Sequence, residues 1–237
     1  YFLYYRSPAP EDDVAPVKCL LEPVEPDMDE ETVRKRLRRW NDSAIRSNHV
    51  AHHAGTGHHV QNYHAARSPS RIGRMAAVDT ASRTALVCGG TMAEGWAPYA
   101  TRLMDETDYY TDLQRYALEN HRRRNAARAV VDVQLHRGEM TAQEAVEFYQ
   151  DRAGMAPGLD PFGAGYEVVK NSMFPGMALM YLLGPATIRE LRAEMAAELG
   201  EEFSLSAFHD ELLSFGSVPA TVVADELRAR HLEEGSA

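Results

Sequence analysis

Along most of the chain, apolar residues recur at intervals of three or four, and nowhere do they alternate with polar ones for long enough to build a sheet. That pattern leaves an all-α body as the expected fold class. Val33, Leu37, Trp40 and Ala44 set the first helical stripe, behind a capping-box spacing at Asp27 to Glu30. Thr141 to Glu144 gives a second such box, opening a helix over 142–152, and Gly138 closes the long helix before it, over 109–137. Leu113, Tyr116, Ala117, Ala127, Val130, Val131 and Leu135 are expected on the apolar side of that long helix. Further helices are expected over 91–104 with Pro98 in the interior, over 166–183, and from Pro185 as a first-turn proline to a stop at Gly200. Two more follow over 206–215 and 219–232. Cys88-Gly89-Gly90 reads as a break, and 153–164 as a loop.

Residues 1–28 carry Pro8, Pro10, Pro16, Pro23 and Pro26 and form an irregular, proline-rich segment ahead of a helical domain over 29–237. The aromatic cluster Tyr1, Phe2, Tyr4 and Tyr5 is expected to pack on the helical body or on another chain. Its start has neither a basic leader nor a long apolar core, so no signal peptide is read there, and an internal or processed start with a cytoplasmic location is expected. No apolar run is long enough to span a membrane. The net charge of -10 argues against nucleic-acid binding, because affinity for phosphates comes from Lys and Arg. The basic runs at 34–39 and 122–124 have acidic neighbours at helical spacing and read as solvated faces. Two cysteines, Cys19 and Cys88, are too few for a disulfide framework and read as reduced thiols.

Six of the ten histidines fall within NHVAHHAGTGHHVQNYH at 48–64. Histidine is the commonest metal ligand, and one ion needs ligands that converge on a point. On an unbroken helix, His49 pairs with His52 or His53, one turn away. If the helix expands at Gly55-Thr56-Gly57, where glycine permits backbone forms closed to other residues, His52 and His58 meet instead. Sequence spacing leaves both pairings open. A third ligand, most naturally a carboxylate, has to come from elsewhere.

HHAGTGHHVQ at 52–61, with LRRWNDSAI before it and EGWAPYA at 94–100, resembles the bacterial domain-of-unknown-function family 885, regarded as zinc metallopeptidase-like proteins. RAVVDVQLH at 128–136, FPGMALMYLLG at 174–184, IRELR at 188–192 and FHDELLSFGSVP at 208–219 extend the likeness over nearly all of the chain after about residue 20. The resemblance implies a multi-helix, metallopeptidase-like body and corresponds to the C-terminal half of larger proteins. The other half is then expected from a partner chain, or this is a shortened form. It further implies Zn2+ held by His52, His58 and Glu94, with His59 beside a ligand, and Arg128, Asp132, His136 and Tyr181 facing the cleft. Tyr181 and His136 are candidate catalytic groups with His53.

The family motif reads HEA-x-PGHH-x-Q, and its glutamate is the general base by analogy with HExxH enzymes. His53 stands there in this chain, Thr56 replaces the proline, Thr101 a second glutamate, and Met177 and Leu182 replace a glutamine and a lysine. The expected function is a zinc-dependent hydrolase of metallopeptidase type, altered at its general base and acting on a small molecule or peptide. The alternatives are a subunit without turnover that binds a partner chain, and a tailoring enzyme with non-hydrolytic metal chemistry.

Overall fold

A computed structural model describes residues 4–6, 18–20, 23–75, 84–155 and 163–232. Within the proline-rich segment, β1 (Tyr4–Arg6) pairs antiparallel with β2 (Lys18–Leu20). The packing expected of the aromatic cluster concerns side chains outside the described residues. Everything else that is regular is helical: α1 (Glu30–Arg39), the single turn α2 (Asp42–Ala44), a π-helix (Ile45–Ala54), α3 (His58–Arg67), α4 (Thr84–Glu106) and α5 (Asp112–His136) come first. They are followed by α6 (Ala142–Arg152), α7 (Gly163–Met173), a 3-10 turn (Met177–Leu179), α8 (Met180–Leu199), α9 (Leu205–Ser214) and α10 (Ala220–His231). The all-α class stands.

Caps explain several boundaries. Thr111 and Thr141 each close a reciprocal capping box, with Gln114 and Glu144. Gly138 and Gly200 end their helices at φ +70° and +52°, the left-handed region that favours glycine. The first helix is capped by Asp29, whose carboxylate accepts from the Thr32 amide, and not by Asp27. The basic runs lie on paired faces, with Arg34 and Glu30 at 2.6 Å and Arg122 and Glu119 at 2.7 Å.

Other expectations fail for tertiary reasons. Cys88-Gly89-Gly90 lies inside α4, and the glycines serve closeness: a Cβ on Gly89 would stand 2.6 Å from the Ser217 carbonyl oxygen, and one on Gly95 would stand 2.9 Å from Gly184. Pro185 sits in the interior of α8, which begins at Met180, because the chain turns earlier, at Gly176 with φ +75°. That turn also splits the helix expected over 166–183. In α5, Ala127 and Val131 are buried as expected, whereas Leu113, Tyr116 and Val130 are exposed.

Two cores result. Met92, Trp96, Ile188, Leu191, Leu212 and Leu227 join α4, α8, α9 and α10 in one. Val131, Ala145, Tyr149 and Val168 join α5, α6 and α7 in the other. Helix α4 of the first core and helices α5 and α7 of the second supply facing walls of the site.

Candidate metal centre

The histidine stretch passes through the site as a π-helix, whose wider turn spaces side chains differently from an α-helix. It closes with the Gly57 amide donating to the Ala51 carbonyl at 2.9 Å, six residues back, before α3 begins. Only glycine fits there: a Cβ on Gly57 would lie 1.9 Å from the His52 carbonyl oxygen. From α4, Trp96 Nε1 donates to the Thr56 carbonyl at 2.9 Å and fixes the turn from outside. The consequence is that the His52 and His58 rings stand 4.8 Å apart and nearly perpendicular, at 88°.

His53 joins them. One ligand nitrogen from each of His52, His53 and His58 lies within 4.8 Å of the others, so this group can hold a metal ion. His53 Nδ1 lies 2.7 Å from the Asn48 carbonyl oxygen, which accepts only, so the ring proton sits on Nδ1 and Nε2 carries the lone pair. His49 takes another path: it is buried against the Trp40 ring at 4.9 Å and is outside the group.

Glu94 projects into the same place from α4. Its Oε2 lies 3.5 Å from His58 Nε2 and 3.7 Å from His52 Nε2, longer than ordinary N–H···O hydrogen bonds. The atom is buried without a hydrogen-bond partner. Burial alone would raise the Glu94 pKa, but His58, through its field and its weak, long contact at 3.5 Å, outweighs it together with the fields of His53 and Lys170 and holds the carboxyl below its ordinary value. Burial pushes His52 well below the usual histidine value and His53 down to about 4, helped by neighbouring imidazoles. Both are therefore neutral near pH 7, the form that offers a lone pair to a cation.

The opposite wall comes from α5 and α7. His121, which the sequence reading did not single out, lies 6.0 Å from His52, and its pKa falls to about 4 chiefly through burial. It sits two turns before Arg128, and that spacing is the signal that links it to the expected cleft residues. Arg128 forms a fork with Glu167, at 2.7 and 2.6 Å, and gives Nη1 to Asn125 at 2.8 Å. Tyr181 lies against this wall, with the Arg128 guanidinium 5.8 Å and the Lys170 ammonium 5.9 Å from its ring. Burial raises its phenol pKa. Neither Lys170 nor Glu167 belongs to a motif that marked it.

Asp132 and His136 have a different placement. Asp132 is almost fully buried and accepts from the Gly176 and Ala178 amides at 2.8 and 2.7 Å, which fixes the turn leading to Tyr181. His136 Nδ1 lies 2.8 Å from the Asp132 carbonyl oxygen and 2.9 Å from its Oδ1, an arrangement that does not bring it to the histidine group. His59 follows His58 on α3 with Nδ1 buried and lacking a hydrogen bond, and no ring contact joins it to His52, His53 or His58.

Residues 3–227 match the model of the family described as "Bacterial protein of unknown function (DUF885)". The chain belongs to this family. Two solved structures give the DUF885 fold a wider setting. One, titled "The structure of a putative lipoprotein of unknown function from Shewanella oneidensis", aligns with a TM-score of 0.74 and 25% identity, over 94% of this chain and 38% of that one. The other, "The crystal structure of the putative lipoprotein from Colwellia psychrerythraea", gives 0.73 and 23% over 96% and 35%. This DUF885 chain therefore spans little more than a third of either protein. The word lipoprotein in both titles does not sit with the cytoplasmic location expected from the sequence. No helix among the described residues is long and apolar enough to cross a membrane. No curated protein matches the chain.

Proposed function

We propose that this chain is a metal-dependent enzyme of hydrolase type, with a divalent cation, zinc by its nitrogen and oxygen donors, held by His52, His58 and Glu94. The observation that carries this is the unpartnered, buried Glu94 Oε2, standing 3.5 and 3.7 Å from two imidazole Nε2 atoms. Donors bound at about 2.0–2.1 Å to one tetrahedral ion stand about 3.4 Å apart, so these separations suit a shared cation and are too long for good hydrogen bonds. Leaving a buried carboxylate oxygen unsatisfied costs several kcal/mol at the order-of-magnitude level, which a cation would offset.

When bound, the ion supplies Lewis-acid polarisation of a water or a substrate carbonyl oxygen. The chain's own residues do the rest. His53, at the position of the family motif's glutamate, faces the group with an unprotonated Nε2 and accepts a proton there, its ring held by Asn48. The Arg128 and Glu167 fork stiffens the far wall, and Asp132 sets the turn that presents Tyr181.

The second reading, a binding subunit without turnover, draws on one observation. Leu113 and Tyr116 on α5, with Val169 and Met173 on α7, are each more than half exposed, and such apolar surface suits a further helical body, in this or another chain.

Elemental analysis of the purified chain with its variants tests the proposal. About one metal ion per chain is expected, lost in His52→Ala and in Glu94→Ala, but kept in His53→Ala, where turnover alone disappears. A chain without metal that still turns over substrate, or metal lost equally in all three variants, overturns it.

A further inference from the structure

We propose that Lys170 and Tyr181 bind the carboxylate of a small acidic substrate in the cleft beside the histidine group. The substrate role rests on the metal-dependent reading above; the anion site itself does not.

The cleft is a shallow depression between α5, α7 and the 3-10 turn, lined by Arg128, Lys170, Phe174, Met177 and Tyr181 among others; its room of about 10 Å³ is that of one water, so only the head group of a ligand enters it. Its two cations are in different situations. Arg128 is taken up by Glu167 and Asn125, and its charge is matched by the Glu167 carboxylate. Lys170 is half-buried, and among the described residues it makes no hydrogen bond and no ion pair; its ammonium stands over the Tyr181 ring, 5.9 Å from the centroid. Glu167 and Glu94 act on Lys170 electrostatically, and neither comes within salt-bridge distance. The Tyr181 hydroxyl likewise makes no hydrogen bond among the described residues. One cleft thus presents two unused donors, one of them charged.

A half-buried ammonium without an anion is a standing cost, and an incoming oxyanion removes it through charge-assisted hydrogen bonds. Burial first and the neighbouring Arg128 second press the Lys170 pKa down, and the more distant Glu167 and Glu94 carboxylates offset this only in part. Phe174 and Met177 add an apolar flank suited to a short carbon chain rather than to a hydrated phosphate. Lys170 acts on Glu94 through space, and Glu94 on Tyr181, which couples this depression electrostatically to the carboxylate of the histidine group. A carboxylate on a compact molecule satisfies all of these conditions.

The test is calorimetric titration of the full chain, with and without prior chelator treatment, using N-acetylglycine, glutarate and inorganic phosphate as probes. Carboxylate binding is expected in wild type, weakened at least roughly tenfold in Lys170→Met, the ordinary size of a lost charge-assisted hydrogen bond. Lys170→Arg is expected to retain binding. Lys35→Met, on an exposed face paired with Glu31, is expected to leave it unchanged. If Lys170→Met does not fold, amine labelling of wild type decides: N-acetylglycine should protect Lys170 from trinitrobenzenesulfonate, read by peptide mass spectrometry. No carboxylate binding, binding of phosphate alone, unweakened binding in a folded Lys170→Met, or no protection overturns the proposal. Carboxylate binding in a chain that never takes up metal upholds the anion site and rejects the metal reading. Metal uptake without carboxylate binding does the reverse.

Discussion

Gly57→Ala separates the π-helical geometry from an ordinary helix start by the sign of its effect. In a regular helix, alanine is better than glycine by up to about 1 kcal/mol, so the substitution would stabilise the chain. Here the new Cβ would lie 1.9 Å from the His52 carbonyl oxygen, 2.6 Å from its carbon and 2.9 Å from the Ala51 oxygen. These are main-chain atoms, so no side-chain rotation relieves the contact. Reaching even 3.0 Å from the His52 oxygen requires a movement of about 1.1 Å. Metal sites tolerate roughly 0.2 Å in ligand distance, so a shift of that size next to two ligands removes the site. Forced overpacking of this kind costs about 1–3 kcal/mol, which exceeds the helical gain. The expected result in urea unfolding is a lower midpoint with an unchanged slope, together with loss of bound metal. An alanine variant that is as stable as wild type and keeps its metal would refute the reasoning.

Two other outcomes follow from the same contacts. Asp132→Asn offers an amide group to one of the two backbone amides, at Gly176 and Ala178, that the carboxylate now accepts, and is expected to cost about 2–3 kcal/mol and to weaken the Tyr181 side of the cleft; unfolding indistinguishable from wild type would exclude this role. The stability of the metal-free chain is expected to fall as pH drops from about 6.5 towards 4. His53 and His121, with folded pKa values near 4, stay neutral while the unfolded chain takes up protons, each adding a slope of up to about 1.4 kcal/mol per pH unit. Their stabilisation is fully present above the unfolded value and is lost on acidification through the folded one; a stability flat over that window would contradict the buried neutral placement.

What the sequence disclosed and what it concealed differ by the range of the interactions involved. Thr141, Gly138 and Gly200 act on their own turns, so their cap and stops were readable from spacing, whereas the Thr111 cap that starts α5 at Asp112 was not read. Gly89 and Gly90 misled because their purpose is set by Ser217 and Met180, far along the chain. Pro185 misled because the turn that restarts α8 is fixed by Asp132, forty-odd residues earlier. In the site, spacing left His49 with His53 and His52 with His58 equally open, the family motif favoured the second, and the π-helix brings that second pair together. Lys170 has no motif, and His121 only its two-turn spacing from Arg128; both belong to the site through the packing of α5 and α7.

The most direct measurement of the central claim is anomalous diffraction at a metal edge from crystals of the purified chain. The account predicts a single strong peak bonded to His52 Nε2, His58 Nε2 and Glu94 Oε2, with His53 Nε2 facing it unbonded. A peak held through His49 and His53, or a Glu94 carboxylate hydrogen-bonded to the two imidazoles with no ion between them, would contradict it.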